Sequence, residues 1–289
     1  MKRGGFSTLV LVLALPFLAP SAYADSFSGL AAENFAVLGA TTVTNVPTST
    51  ITGNVGTYSG ISITGFNSSP GVAVSDPQVT GGTVQADTAN AMAAQGNANS
   101  EFNTLMGLSG LNLSGKNLGG LTLGAGVYSF SSSAQLTGVL TLNFGGASNE
   151  IIVIDVGSAL TTASGSGVVL EGWNPTDSVY WAVGSSATLG STTAFEGNII
   201  ADQSDTLITG ASDECGSVIA LNAAVTLGSN TISPGCNNAT TATVEGLGPG
   251  TTMPVTTVVP ELSTFALISC GLLAMGLLAF RRSRVSSIV

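Results

Sequence analysis

The chain has 289 residues, 16 acidic and six basic, and no histidine. Five of the six basic residues, Lys2, Arg3, Arg281, Arg282 and Arg284, lie at the two ends, so the segment from Asp25 to Val258 sets 15 carboxylates against Lys116 alone. Such a segment repels phosphate backbones and excludes nucleic acid as a partner; without imidazole it also lacks the usual neutral-pH base and the commonest metal ligand, so no catalytic residue, metal or cofactor is expected.

In chain order, Lys2 and Arg3, an apolar run from Phe6 to Ala19, and Ala22-Tyr23-Ala24 make the three parts of a secretory signal peptide over residues 1–24, with the exported chain starting near Asp25. Phe35-Ala36-Val37-Leu38 and Ile61-Ser62-Ile63-Thr64-Gly65 read as strands with turns. From about 76 to 106 the composition changes to Ala, Gln and Asn, and Val84, Ala91, Ala94, Ala98, Phe102 and Leu105 recur at helical spacing. A long helix is predicted there, stopped by Gly107. From Leu111 a short β-branched or leucine run, a Gly-Ser or Thr-Gly corner and another run repeat. Leu189, Leu207 and Leu227 are 18 and 20 residues apart, the length of a solenoid coil. Many short strands also suit a sandwich, which spacing alone leaves open.

Asp202, Asp205, Asp213 and Glu214 form the one local acidic cluster, read as a solvated edge rather than the facing carboxylate pair of a glycosidase or a calcium site. Cys215 and Cys236 are the only cysteines between the two ends and flank one repeat length, which predicts a disulfide in an oxidising compartment. A Thr- and Pro-rich linker follows over residues 237–258. In the last segment, 259–289, Val259-Pro260-Glu261 precedes an apolar helix predicted over 262–280, long enough to cross a membrane, and the three terminal arginines. This tail resembles the PEP-CTERM sorting signal of bacteria, with Leu262 in place of the second proline. The resemblance implies removal by an exosortase-type processing enzyme; a plain single-pass anchor would have the same layout. Both readings put the domain outside the cytoplasm, secreted or held at the cell surface, with the tail anchoring it at least transiently.

The phrases Asn34-Phe35-Ala36-Val37-Leu38-Gly39, Leu118-Gly119-Gly120-Leu121-Thr122-Leu123, Gly126-Val127-Tyr128, Phe195-Glu196-Gly197-Asn198-Ile199-Ile200-Ala201 and Ala224-Val225-Thr226-Leu227 resemble those of the microbial ice-binding (antifreeze) protein family. The likeness spans about residues 30 to 233 of a predicted domain at 25–236. It implies a mainly β fold, a discontinuous right-handed β-solenoid with three faces and one long α-helix packed alongside, in which N-terminal strands close against C-terminal ones. It also implies a monomer that adsorbs to ice through a flat Thr/Ser face. Physically, threonine suits such a face: its side chain is stiff, its methyl avoids bulk water and its hydroxyl anchors it. The family pattern of a threonine, a small residue, any residue and Thr or Asn is matched in part by four segments. They nominate Thr162, Ser164, Ser191, Thr193, Thr209, Ala211, Ser229 and Thr231 as outward ice-contacting residues. A competing expectation is a cell-surface adhesin or a matrix protein that binds exopolysaccharide, a partner recognised by exposed aromatics. Trp173, Tyr180 and Trp181 are the few candidates.

Overall fold

The computed structural model of the chain describes residues 25–27, 35–234 and 242–244. Three parallel strands and the turns between them make one coil; in one coil these are Ile151–Val156, Leu160–Thr162 and Gly167–Glu171. The next coils repeat this with Ser178–Val183, Ala187–Leu189 and Ala194–Phe195, then Asn198–Ala201, Asp205–Leu207 and Ser212–Asp213, then Val218–Ala220, Val225–Leu227 and Thr231–Ile232. Each strand pairs with its counterpart one coil away, so the coils stack into sheets of 10, seven and eight strands.

The stacking order departs from chain order where the last coil meets the N-terminal strands, and again at the far edge of the 10-stranded sheet, where Ala73–Val74 pairs antiparallel outside Val84–Ala86. Val218–Ala220 pairs with Phe35–Gly39, Val225–Leu227 with Thr42–Asn45, and Thr231–Ile232 with Thr50–Thr52. The N-terminal strands therefore continue the stack beyond the C-terminal coil, as the resemblance implied. Asp25–Phe27 pairs antiparallel with Ala242–Val244 in a separate two-stranded ribbon.

Alternation within each strand sends one set of side chains inward. On the seven-stranded sheet the inward column at the end of each strand runs Leu136, Thr162, Leu189, Leu207, Leu227 and Asn45, so leucines one coil apart stack on each other. Trp181 is fully buried at the centre, its ring 4.8 Å from that of Phe195, and its Nε1 donates to the Glu196 carbonyl at 3.1 Å.

The outer face of the 10-stranded sheet is covered by the helix Ala89–Met106. Ala91, Ala94, Ala98, Phe102 and Leu105 bury against Phe35, Val127, Val153, Tyr180, Ala182 and Ile200. Small alanines let the helix lie close, and Gln95 Nε2 donates to the Ala220 and Leu221 carbonyls at 3.1 Å. The helix begins 13 residues later than the sequence predicts. Val79–Thr80 and Val84–Ala86 are strands that complete the end of the stack, and the Asp76 carboxylate accepts from the Asn67 and Gln78 backbone N–H, holding a turn where a helix was expected. Thr88 then caps the helix by accepting from the Ala91 N–H. Gly107 ends it in a right-handed conformation with φ −83°, so the stop does not use the left-handed freedom of glycine.

Covering both sides of this sheet explains its aromatics. Trp181 points into the solenoid and Tyr180 under the helix, so both are buried, while Trp173 is half-buried at a turn. The acidic cluster is also not a solvated edge. Asp205 and Asp213 occupy inward positions of their strands and are 0% exposed, Asp202 is half-buried, and only Glu214 is exposed. No helix among the described residues is long and apolar enough to cross a membrane, and the predicted span 262–280, the sorting motif and Cys236 lie outside those residues.

Candidate functional site

Of the three faces, one is covered by the helix. The eight-stranded sheet is open but charged. Glu171 and Glu214 stand exposed on it or at its rim, and Glu196 lies beside them with its carboxyl pushed up to about 7, by burial first and then by the Glu214 charge. Among the described residues nothing covers the seven-stranded sheet, and its outward positions carry no charge.

One outward position on each of its strands forms a column. Gln135 pairs with Thr161, Thr161 with Thr188, Thr188 with Thr206, Thr206 with Thr226, Thr226 with Thr44 and Thr44 with Thr64. Six successive coils thus present threonine at the same position. Parallel-strand spacing sets consecutive threonines roughly 4.8 Å apart, close enough for neighbours to restrict one another beyond the stiffness of their own branched χ1. All six are exposed or half-buried.

A second column beside it carries Ser133, Ala159, Ser186, Ser204, Ala224, Thr42 and Ser62, aligned by backbone hydrogen bonds from each following residue to the next coil. The Ser186 and Ser204 hydroxyls meet at 2.9 Å. On the other side, the chain leaves the strands through Ala163, Gly190, Ile208, Gly228 and Val46. Gly190 is required there by close approach: a Cβ would lie 2.6 Å from the Thr162 carbonyl oxygen. None of these positions is charged, in a region with 15 carboxylates. The result is a regular array of methyl and hydroxyl groups.

The residues nominated from the sequence fall elsewhere. Thr162, Thr193 and Ala211 are buried, at 3%, 0% and 0% exposure, and do not face outward. Ser164, Thr209 and Ser229 are exposed and Ser191 half-buried, all on the turns that leave this sheet, where Ser229 takes φ 55°. Thr231 is exposed on the neighbouring eight-stranded sheet, paired with Ser212 and Thr50. At Thr162 the physical reason is the two-residue period of a strand, in which a one-residue shift reverses the side chain; the other seven lie past the strands of this sheet, on the corner or on the next sheet. The outward residue of Leu160–Thr162 is its centre, Thr161. Strand alternation in Ala187-Thr188-Leu189, Asp205-Thr206-Leu207 and Val225-Thr226-Leu227 is the signal that finds the column, because each threonine stands between two inward residues.

A model of the family described as ice-binding-like matches residues 37–233, which include every coil from Thr42 to Ile232. The chain belongs to this family. Among named relatives, this ice-binding-like chain is 41% identical to an ice-binding protein of Nostoc sp. (strain HG1) over 281 residues, covering 96% of this chain and 95% of the relative. It is 32% identical to ice-binding protein K3-B1 of Typhula ishikariensis, covering 68% and 85%. The crystal structure of an ice-binding protein from the Antarctic ascomycete Antarctomyces psychrotrophicus superposes with a TM-score of 0.62 at 33% identity, covering 71% of this chain and 96% of that one. An ice-binding protein from an Arctic yeast gives 0.59 at 28% identity, covering 70% and 90%. The mainly β fold with one helix is therefore shared across the family.

Proposed function

We propose that this chain is a non-enzymatic ice-binding protein that adsorbs to crystal planes through the threonine column of the seven-stranded sheet and inhibits ice growth and recrystallisation. The observation that carries the proposal is the run Thr161, Thr188, Thr206, Thr226, Thr44 and Thr64 on a face without charge, in a member of a family whose relatives are named for ice binding. Charged groups hold their own hydration shells. A charge-free lattice of methyls and hydroxyls at fixed spacing can instead share an ordered water layer with ice, and many weak contacts made together give strong adsorption. The exposed turn residues Ser164, Thr209 and Ser229 border this face and contribute less.

The chain acts outside the cytoplasm as a monomer. Its signal peptide is removed before Asp25, and its tail from Val259 is a substrate for an exosortase-type enzyme; until cleavage it anchors the protein in the membrane. Exopolysaccharide is the poorer partner, because Tyr180 and Trp181 are buried and cannot stack on a sugar. The test is ice recrystallisation inhibition by the exported chain, purified after expression with its own leader and tail. Small crystals preserved at micromolar protein support the reading. Coarsening equal to that in buffer by a folded protein rejects it and moves polysaccharide binding forward.

Cys215 is 7% exposed, and its backbone bridges Pro234, two residues before Cys236. The proposed Cys215–Cys236 disulfide would fasten the last coil to the linker. The exported protein is expected to resist thiol alkylation at both cysteines until reduced, and Cys215→Ser to lower stability by roughly 2–4 kcal/mol. Alkylation of both without reductant would exclude the bond.

A further inference from the structure

Behind the threonine face, where each coil turns from the seven-stranded to the eight-stranded sheet, the inward column reads Ser166, Thr193, Ala211, Asn230 and Ser49. Its alignment follows from the pairing of the next residues, Gly167, Ala194, Ser212, Thr231 and Thr50. All five are nine-tenths buried or more, and four are polar. An apolar core has no use for such groups unless they are bonded, and several of these bonds run between coils. Ser166 Oγ lies 2.7 Å from the Ala163 carbonyl of its own corner and 3.0 Å from the Leu136 carbonyl one coil back, with one proton to share between them. Thr193 Oγ1 donates to the Ala163 carbonyl at 3.2 Å and lies 2.8 Å from Thr162 Oγ1, which accepts from the Gly190 N–H at 2.9 Å. Since the Thr193 proton is used on Ala163, Thr162 is the donor between the two hydroxyls. The relay runs from Gly190 N–H through Thr162 and Thr193 to the Ala163 carbonyl, each hydroxyl accepting once and donating once.

Past Ala211, which has no hydroxyl, the side chain of Asn230 reaches back to the coil that lacks one. Its Nδ2 donates to the Ile208 and Ala211 carbonyls at 3.1 and 2.8 Å. Its backbone N–H donates to Ser49 Oγ at 2.9 Å, Ser49 Oγ donates to Asn45 Oδ1 at 2.7 Å, and Asn45 Nδ2 donates to Gln78 Oε1 at 2.9 Å. Among the backbone groups in these bonds, the Ala163 and Ile208 carbonyls accept and the Gly190 N–H donates, and all three residues directly follow the threonine strands. The strands themselves have three residues, with few ladder bonds to fix the separation of coils at their ends.

We infer that this buried relay is a spacing device for the proposed ice face, and that Thr193 is a positioning residue whose hydroxyl holds the Thr161 and Thr188 coils at the separation adsorption requires. The inference rests on the ice-binding reading. It also gives a role to Thr162 and Thr193, which the sequence pattern singled out and the structure turns inward.

The test compares exported full-length chains carrying Thr193→Val, Thr193→Ser and Val153→Ala with the parent. Valine keeps the shape and removes the hydroxyl, serine keeps the hydroxyl, and Val153, buried between the helix and the 10-stranded sheet, reports loss of core packing away from the face. Each is measured for melting temperature and for the lowest concentration that stops recrystallisation. Thr193→Val is expected to need at least fivefold more protein, while Thr193→Ser and Val153→Ala stay within twofold of the parent even where Val153→Ala melts as low as Thr193→Val. The inference fails if folded Thr193→Val matches the parent, if Thr193→Ser loses as much, or if Val153→Ala at equal melting temperature loses as much. An inactive parent instead overturns the ice-binding reading itself.

Discussion

Thr206→Tyr is expected to remove most ice activity, at least tenfold in the concentration that stops recrystallisation, without lowering the melting temperature. Thr206 is half-buried at the middle of the column, between Thr188 and Thr226, with its side chain pointing out. A phenol there stands above its neighbours and holds the array away from a crystal plane, yet it touches nothing in the core. Surface substitutions of this kind usually change stability by less than about 0.5 kcal/mol. Thr50→Tyr puts the same ring on the eight-stranded sheet and is expected to leave activity within twofold, because that face carries Glu196 and Glu214. Thr209→Tyr, on the turn beside the column, should fall between. Equal losses at Thr50 and Thr206 would mean that the face has been misplaced.

The second large effect is a rise in stability as the solution becomes mildly acidic. Burial pushes Glu101 up to about 7, opposed by a hydrogen bond from Tyr180, and Asp155 up to about 6. Burial also raises Asp205 and Asp213 well above the usual carboxylate range, and neither Asp205 oxygen has a hydrogen-bond partner. A carboxyl whose pKa is higher folded than unfolded binds its proton more tightly in the native state. Stability is then lost as pH rises from the unfolded value, near 4.5 for glutamate, through the folded one. For Glu101 that interval ends near 7, and its full loss is at most roughly 3 kcal/mol. Asp205 and Asp213 act in the same direction. The melting temperature is expected to be about 10 °C higher at pH 5 than at pH 8, at roughly 2–4 °C for each kcal/mol in a domain of this size. Glu101→Gln should reduce the slope between pH 4.5 and 7. A melting temperature that rises with pH over this range would contradict the burial of these acids.

The coil length and the family phrases made the solenoid legible, since a core formed by stacking turns repeats its leucines once per turn. Helical spacing found Ala91, Ala94, Ala98, Phe102 and Leu105, but Val84, which fits the same spacing, belongs to a strand. Periodicity cannot see that the preceding loop is held by Asp76. The site was less legible because the family pattern lies across a corner. Thr162 and Thr193 turn inward, and the outward threonines lie within the strands, Thr161 one position before Thr162, and Thr188, Thr206 and Thr226 three before Ser191, Thr209 and Ser229. Local alternation in Ala187-Thr188-Leu189 carried that information; the turn pattern did not. Asp205 and Asp213 were read as solvated because charge usually is, and only the three-dimensional path of the coil turns them inside.

The most direct measurement is adsorption itself: a single ice crystal grown in fluorescently labelled exported chain, beside the Thr206→Tyr variant, and viewed for the planes that take up label. Binding through the threonine column predicts fluorescence confined to discrete planes by the parent and a dark crystal with the variant. A dark crystal with the folded parent, or the same lit planes with both proteins, would contradict it.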